Sequence, residues 1–351
     1  MSGLRTAIFS RHQPAGPFQG SDLPGRLPVN IAEIHFHNQL SEDNFPTMAQ
    51  EVIAGLSSRP KYCSPKYLYD QKGSELFEKI CELPEYYPTR TEEAILRQAM
   101  PEIAELAGKD ATLVELGSGA SRKVRLLLES LSVRCYLGVD ISRDFLVSST
   151  RRLAADYPWL EVHAACADFT RGVALPEGIS PKRLVTFFPG SSIGNFTPEA
   201  AERFLISLRR CLPTGSGLLV GVDLLKDHAI LESAYNDADG ITAEFNLNLL
   251  DRLRKELGFD IEREGFSHRA FFNERQSRIE MHLDSRDFQV LSLNTKSIRF
   301  RKGESIHTEN SYKYSIPGFQ RLAGRAGFSS RRVWFDDDGL FSIHYLISSS
   351  R

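Results

Sequence analysis

The period of the apolar positions changes several times along the chain, and each change marks an element. Residues 48–56 carry apolar side chains at helical spacing, and Ser74-Glu75-Leu76-Phe77-Glu78-Lys79-Ile80 opens a second helix. Leu83-Pro84-Glu85-Tyr86-Tyr87-Pro88-Thr89-Arg90 breaks that pattern, and Thr91 reads as the N-cap of a helix over 92–106. Short apolar runs then alternate with helical stretches. Strands are predicted over 112–116, 135–139, 160–165, 183–188 and 217–224, with helices over 121–131, 144–157 and 198–211 between them. This alternation predicts βαβ units, hence a parallel sheet with helices on both faces.

After Leu224 the alternation stops. Residues 227–257 are mostly helical, with a break at Asp237-Ala238-Asp239-Gly240. Segments 278–283, 289–293, 297–301 and 304–315 alternate with period two and predict an antiparallel meander. A helix over 317–326 and a hairpin around Phe335-Asp336-Asp337-Asp338-Gly339 close the chain. The expectation is an α/β protein, a Rossmann-like sheet interrupted by a smaller α+β domain. Its parts are an N-terminal arm (1–45), a substrate domain in two pieces (46–91 and 228–316) and a sheet domain in two pieces (92–227 and 317–351).

Composition narrows the class only a little. The 351 residues are 41% apolar and 25% charged, with a net charge of −2. That balance gives no electrostatic reason to expect nucleic acid or an anionic membrane as partner. The longest apolar runs, such as 217–222, have strand length. The five cysteines are scattered with no CxxC pair, which fits a reducing cytoplasm and suggests neither a zinc site nor disulfides. Four prolines in the first 30 residues favour a loose arm over a transit peptide, although Arg5 and Arg11 precede the first acid, Asp22. No metal-ligand pattern stands out among the nine histidines beyond the pair His35 and His37. A monomer acting on a small molecule is the expectation.

Val114-Glu115-Leu116-Gly117-Ser118-Gly119-Ala120 joins a predicted strand to a helix. Gly117 and Gly119 let the backbone approach a ligand at the carboxyl end of a strand, where open α/β sheets bind ligands. A dinucleotide fingerprint needs a third glycine at position 122, and that residue is Arg122. Glu115, ending the strand, would repel a pyrophosphate and attract a cation. The loop therefore favours S-adenosylmethionine, which carries a sulfonium and an ammonium. Asp140 ends the next strand, placed for a ribose diol, and Asp168-Phe169 follows the third, placed for adenine. Each Asp could instead cap a helix, but acids at three consecutive strand ends make that a poor joint explanation. Lys123 is either a solvated lysine or a partner for the methionyl carboxylate.

With these residues in view, the chain resembles the histidine-specific N-methyltransferases of ergothioneine biosynthesis. The resemblance rests on Tyr69-Asp70-Gln71-Lys72-Gly73-Ser74-Glu75-Leu76-Phe77, residues 83–90, residues 115–119, Gly190-Ser191-Ser192-Ile193-Gly194-Asn195, and Tyr235 with 242–246. It covers roughly residues 46 to 351. It implies trimethylation of the α-amine of L-histidine to hercynine, with three molecules of S-adenosylmethionine. It further implies that Gly117, Lys123, Asp140, Asp168 and Phe169 bind the cofactor. Tyr86, Asn195, Tyr235, Glu309 and Ser311 would contact histidine, and Tyr69 would face the reacting amine.

The residue types suit those roles. Glu309 and Ser311 are two apart on a predicted strand and share one face. A carboxylate accepts from an imidazole N–H, and a hydroxyl serves the other nitrogen. Asn195 and Tyr235 offer donors for a carboxylate. Met281 suits a core strand position, and it matches a methionine lining the family's pocket. Direct displacement needs a neutral amine, which the Tyr69 and Tyr86 hydroxyls could favour as neutral acceptors. The nearest alternative is an N-methyltransferase acting on a tryptophan derivative. A nicotinamide dehydrogenase is disfavoured by Arg122 and Glu115, and a non-catalytic binding protein by the intact site positions.

Overall fold

The computed structural model describes residues 33–40, 46–172, 174–179, 182–293 and 296–349. The expected arm lies outside them except for residues 33–40, and there strand β1 (His35–Asn38) pairs in parallel with residues 163–166. Helix α1 (Met48–Ser57) begins at Thr47, whose hydroxyl accepts from Gln50 N while the Gln50 side chain accepts from Thr47 N. This reciprocal box satisfies two amides that the helix leaves open. After strand β2 (Lys61–Tyr62), helix α2 (Gln71–Ile80) is capped by Asp70, which accepts from Gly73 N at 2.7 Å. Helix α3 (Tyr87–Ala107) starts earlier than the sequence predicts. Pro88 sits in its first turn, where a missing N–H costs nothing, so Thr91 lies inside the helix and is not its cap.

The expected alternation follows: β3 (Ala111–Leu116), α4 (Arg122–Leu128), β4 (Val133–Asp140), α5 (Arg143–Asp156), β5 (Glu161–Cys166), β6 (Leu184–Phe188), α6 (Pro198–Cys211) and β7 (Gly217–Asp223). Helices α7 (His228–Ser233) and α8 (Ile241–Leu257) flank the expected break, where Asp237 accepts from Ile241 N and Thr242 N. Strands β8 (Phe266–Asn273), β9 (Arg278–Ser285), β10 (Gln289–Leu293), β11 (Lys296–Phe300) and β12 (Ser305–Tyr312) come next. Helix α9 (Ile316–Arg325) and the hairpin β13 (Phe328–Phe335) and β14 (Phe341–Ser348) end the described chain.

The large sheet runs β1-β5-β4-β3-β6-β7-β14-β13, parallel through β7 and antiparallel beyond it. Strands β3, β6 and β7 are buried along their whole length, as expected for a sheet covered on both faces. Adjacent side chains serve opposite faces: Phe188 packs with Leu205 and Phe319, while Phe187 packs with Ile103 and Val124. The chain leaves β3 in one direction and returns to β6 on the other side. The gap between these two strands is therefore the switch point where such sheets hold ligands.

The expected meander is two separate structures. Strands β10 and β11 form a hairpin of their own, whereas β9 and β12 belong to a sheet ordered β2-β12-β9-β8, in which β2 is parallel to β12. The sequence hid β8 because Phe271 and Phe272 stand side by side and break its period, and β2 has only two residues. A third buried cluster joins this sheet to α1, α2 and α8 through Leu56, Leu76, Leu249, Phe266 and Ile306. Among the described residues no helix is long and apolar enough to cross a membrane.

Candidate active site

A cavity of about 800 Å³ opens where β3, β4, β5 and β6 end. Every residue that the sequence assigned to the cofactor lines it: Glu115, Gly117, Gly119, Lys123, Asp140, Asp168 and Phe169. Gly117 and Gly119 have φ of +70° and +49°, a region that disfavours side chains, and Gly117 N and Ser118 N both donate to Val139 O. Gly119 N donates to Asp140 Oδ2 at 3.0 Å and Ser142 N to Oδ1 at 2.9 Å, so the loop is bound to the end of β4. Burial raises the Asp140 carboxyl, with these backbone donors opposing the effect. Asp168 caps the turn Phe169–Arg171 and receives Lys66 Nζ at 3.3 Å. The Phe169 ring meets Phe188 and Phe204 edge to face, which makes a flat apolar wall.

Glu115 lies at the bottom. Tyr136 Oη donates to its Oε2 at 2.6 Å, and burial pushes the carboxyl up to about 8, against the opposing pull of Tyr136 and Lys123. A cation brought alongside would restore its charge. Acids at three strand ends, an aromatic wall and a buried carboxyl that lacks a full counter-charge fit a cationic nucleoside such as S-adenosylmethionine.

Lys123 lines the cavity and is paired, so it is not the solvated lysine of the first expectation. Its ammonium is 2.5 Å from Glu92, which has no exposed surface, and Glu92 also accepts from Gly190 N at 2.9 and 3.1 Å. Burial would lower the lysine, but Glu92 outweighs it and leaves the pKa raised. Lys123 is thus a paired cation facing the cavity. Arg122, where a dinucleotide fingerprint would have glycine, turns to Glu93 at 2.8 Å.

Of the substrate candidates, Tyr69, Tyr86 and Asn195 line the cavity, whereas Tyr235, Met281, Glu309 and Ser311 do not. They stand one layer further in. Tyr86 meets Tyr235 edge to face, and Tyr235 Oη donates to Ser311 Oγ at 2.8 Å. Met281 stands opposite Glu309 in the ladder and packs in the core cluster. A bulge between His307 and Glu309 decides which way Glu309 points. His307 pairs with His282 and Glu309 with Met281, so the extra residue Thr308 turns Glu309 and Ser311 to the face opposite His307. Glu309 is only 9% exposed, its Oε2 has no hydrogen-bond partner among the described residues, and burial pushes it up to about 8 while Lys313 draws it down. Burial, then Glu309, hold the Tyr69 hydroxyl far above the usual phenol range; burial, then Tyr235, do the same for Tyr86. Tyr235 is engaged with Ser311, whereas Asn195 lines the cavity.

Sequence reasoning missed Glu92, Asp223, Lys226 and Lys313. Asp223 ends β7 as the other acids end their strands, and it pairs with Lys313 at 2.6 Å and Lys226 at 2.5 Å. Burial would raise Asp223, but the two lysines hold it below the usual range. The signal for Lys313 was available, since 309, 311 and 313 continue one period. The histidines are also more clustered than expected: His35 and His163 stack near Glu161, and His282 and His307 stack near Glu280. Neither group lines the cavity.

The sequence model for histidine-specific, S-adenosylmethionine-dependent methyltransferases matches residues 48–348. A histidine N-alpha-methyltransferase of Mycolicibacterium smegmatis is 40% identical, over 87% of this chain and 97% of its own. Ergothioneine biosynthesis protein 1 of Neurospora crassa is 31% identical over 83% of this chain and 33% of its own. A 4-dimethylallyltryptophan N-methyltransferase of Claviceps purpurea is 27% identical over 92% of this chain and 99% of its own. With cavity, sheet and sequence in agreement, this chain belongs to the histidine-specific, S-adenosylmethionine-dependent methyltransferase family.

Proposed function

We propose that the protein trimethylates the α-amino nitrogen of L-histidine to hercynine, a step of ergothioneine biosynthesis. The observation that carries the substrate is Glu309, which shares a strand face with Ser311 and whose buried Oε2 lacks a partner among the described residues. An unmet buried acceptor costs about 1–3 kcal/mol, more when charged, and an imidazole N–H removes that cost. An apolar side chain does not. A tryptophan derivative offers one N–H and a larger ring, which the packing of Met281 opposite Glu309 disfavours.

In this reading Glu115, Gly117, Gly119, Lys123, Asp140, Asp168 and Phe169 hold S-adenosylmethionine, which supplies an electrophilic methyl group when bound. Glu309 and Ser311 hold the ring, with Tyr235 behind Ser311 and Met281 limiting the space. Asn195 holds the carboxylate. Tyr69 and Tyr86 border the reacting amine. An ordinary α-amino group has a pKa near ~8, so the site must favour the neutral form. Both phenols stay protonated, so their oxygens can accept an N–H without stabilising an ammonium as a carboxylate would. The rings of Tyr69, Phe77 and Tyr86 pack edge to face and fix the wall beside that amine.

We assign the substrate domain to residues 46–91 and 228–316, and the cofactor domain to 92–227 and 317–351. The separate buried cluster joining α1, α2 and α8 to the smaller sheet supports that division. We further infer a cytoplasmic monomer serving small molecules alone, which balanced charge and unpaired cysteines support. The test is incubation of the pure protein with isotope-labelled S-adenosylmethionine and a panel of free amino acids, with products identified by mass. Trimethylhistidine is the expected product. Methylated indoles, or no methylated histidine, would overturn the assignment.

A further inference from the structure

Lys313 continues the face of β12 that carries Glu309 and Ser311, and its side chain has no exposed surface. Its ammonium reaches Asp223 Oδ2 at 2.6 Å, Ser311 Oγ at 2.8 Å and Tyr235 Oη at 3.3 Å. An ammonium has three N–H groups and no lone pair, so all three contacts are donations by Lys313. Asp223 is held in turn by Lys226 at 2.5 Å and by the Tyr87 hydroxyl at 2.7 Å, so the ammonium has a fixed anchor. Tyr235, receiving from Lys313, donates its own hydrogen to Ser311 Oγ. Ser311 therefore accepts twice and has no lone pair left. Only its O–H remains for a ligand.

We propose that Lys313 is a positioning residue that fixes Ser311 as a donor, so that Glu309 and Ser311 together hold one tautomer of a neutral imidazole. This rests on the reading of that pair as the ring site. One side of the pair accepts and the other gives. A ring with one N–H and one bare nitrogen satisfies both. An imidazolium has two N–H groups, and an indole or pyrrole has no bare nitrogen, so each leaves the Ser311 O–H unmatched. The groups facing Glu309 from other elements are the phenols of Tyr69, Tyr86 and Tyr235, held neutral by burial. Lys313 draws the Glu309 carboxyl down against burial, and a carboxyl keeps an accepting oxygen in either protonation state.

The direct test uses the full chain with ¹⁵N-labelled L-histidine and S-adenosylhomocysteine, reading the ring nitrogen shifts. We expect one protonated and one bare nitrogen, unchanged from about pH 6 to 8, where free histidine titrates near ~6.5. Bound imidazolium, or exchange between two tautomers, overturns this inference while leaving the proposed substrate intact. Failure of histidine to bind overturns both. A second arm compares kcat/KM for histidine with that for β-(pyrrol-2-yl)alanine. The wild type should prefer histidine by about tenfold or more, the effect of one unmatched buried hydroxyl. K313M should reduce that preference to a few-fold, and S311A should do the same. Combining the two should add little, because Lys313 acts through Ser311. Additive losses, or an unchanged preference in K313M, would count against the proposal. If K313M fails to fold, the nitrogen shifts of the wild type decide.

Discussion

The ammonium of Lys123 rests 2.5 Å from Glu92, a carboxylate that solvent does not reach. Glu92 belongs to α3, Lys123 to α4, and the Gly190 amide that Glu92 also binds follows β6. One buried acid thus ties together three segments of the cavity wall. The fold makes room for it: a Cβ at Gly221 would collide with Glu92 Oε1. Breaking a buried pair from one side leaves an uncompensated charge, at about 3–5 kcal/mol. E92A should lose that much in urea unfolding. E92Q, which keeps an acceptor for Gly190 N, should lose less. A loss under ~1 kcal/mol in E92A, no more than an exposed pair contributes, would show that the pair is not structural.

Cofactor affinity should rise with pH. Burial holds Glu115 at about 8 in the ligand-free protein, against an ordinary value of 4.5. A raised carboxyl stabilises the fold below the ordinary value, and that contribution is lost as pH climbs through the folded value. A cation beside Glu115 reverses the preference, because it favours the ionised form. Binding S-adenosylmethionine between about pH 6.5 and 8 should therefore release a proton, with Kd improving by up to ~tenfold per pH unit and levelling off above 8. Calorimetry in two buffers of different ionisation enthalpy, without histidine, measures the release. Proton uptake, or a flat profile, would place Glu115 away from the positive charge.

Much of this was legible in the sequence, for physical reasons. Alternating apolar runs set the sheet, and glycines with acids at strand ends marked its ligand-binding rim. Period two put Glu309 and Ser311 on one face. The same period ran on to Lys313, but a buried lysine reads as a surface one until its anchor is known, and Asp223 lies 90 residues earlier. Glu92 was illegible because its role needs three distant segments to converge. Strand β1 was illegible because four residues carry little pattern and its partner begins at Glu161. The bulge at Thr308 left no mark in composition, yet it decides the face on which Glu309 stands.

Across the cavity mouth, Lys66 pairs with Glu51 at 2.8 Å and Asp168 at 3.3 Å. It joins the segment before α2 to the rim of the cofactor end. All three are partly shielded, so the contribution should be modest, about 1 kcal/mol and salt-sensitive. K66M should weaken S-adenosylmethionine binding by up to about fivefold at low salt, with the difference shrinking at 0.5 M salt. Surface plasmon resonance over a salt series reads this. An equal defect at every ionic strength would mean Lys66 acts by packing.

Glu309 should govern histidine and not the cofactor. Leaving the buried ring N–H without its acceptor costs about 1–3 kcal/mol, so E309A should lower kcat/KM for histidine by ~5- to 150-fold. S-adenosylhomocysteine affinity, measured separately, should stay within about twofold. Equal losses in both would remove Glu309 from the ring site.

Gly194 tests the geometry from a different side. It lies in the short 3-10 turn Ser192–Asn195, which packs against β12 so closely that a Cβ would stand 2.8 Å from Tyr312 O and 3.2 Å from Tyr312 N. Those atoms are backbone in a paired strand and cannot swing aside. G194A must therefore push the turn away, and Asn195 moves with it as the next residue. Overpacking of this kind costs about 1–3 kcal/mol and should appear as a lower Tm. The functional effect should be lopsided. The histidine KM should rise, because Asn195, the proposed carboxylate donor, is displaced, while cofactor affinity changes less, because the glycine loop after β3 is untouched. A variant with both constants near wild type would mean Asn195 does not hold the substrate carboxylate. A loss confined to the cofactor would place Asn195 at the other end of the cavity.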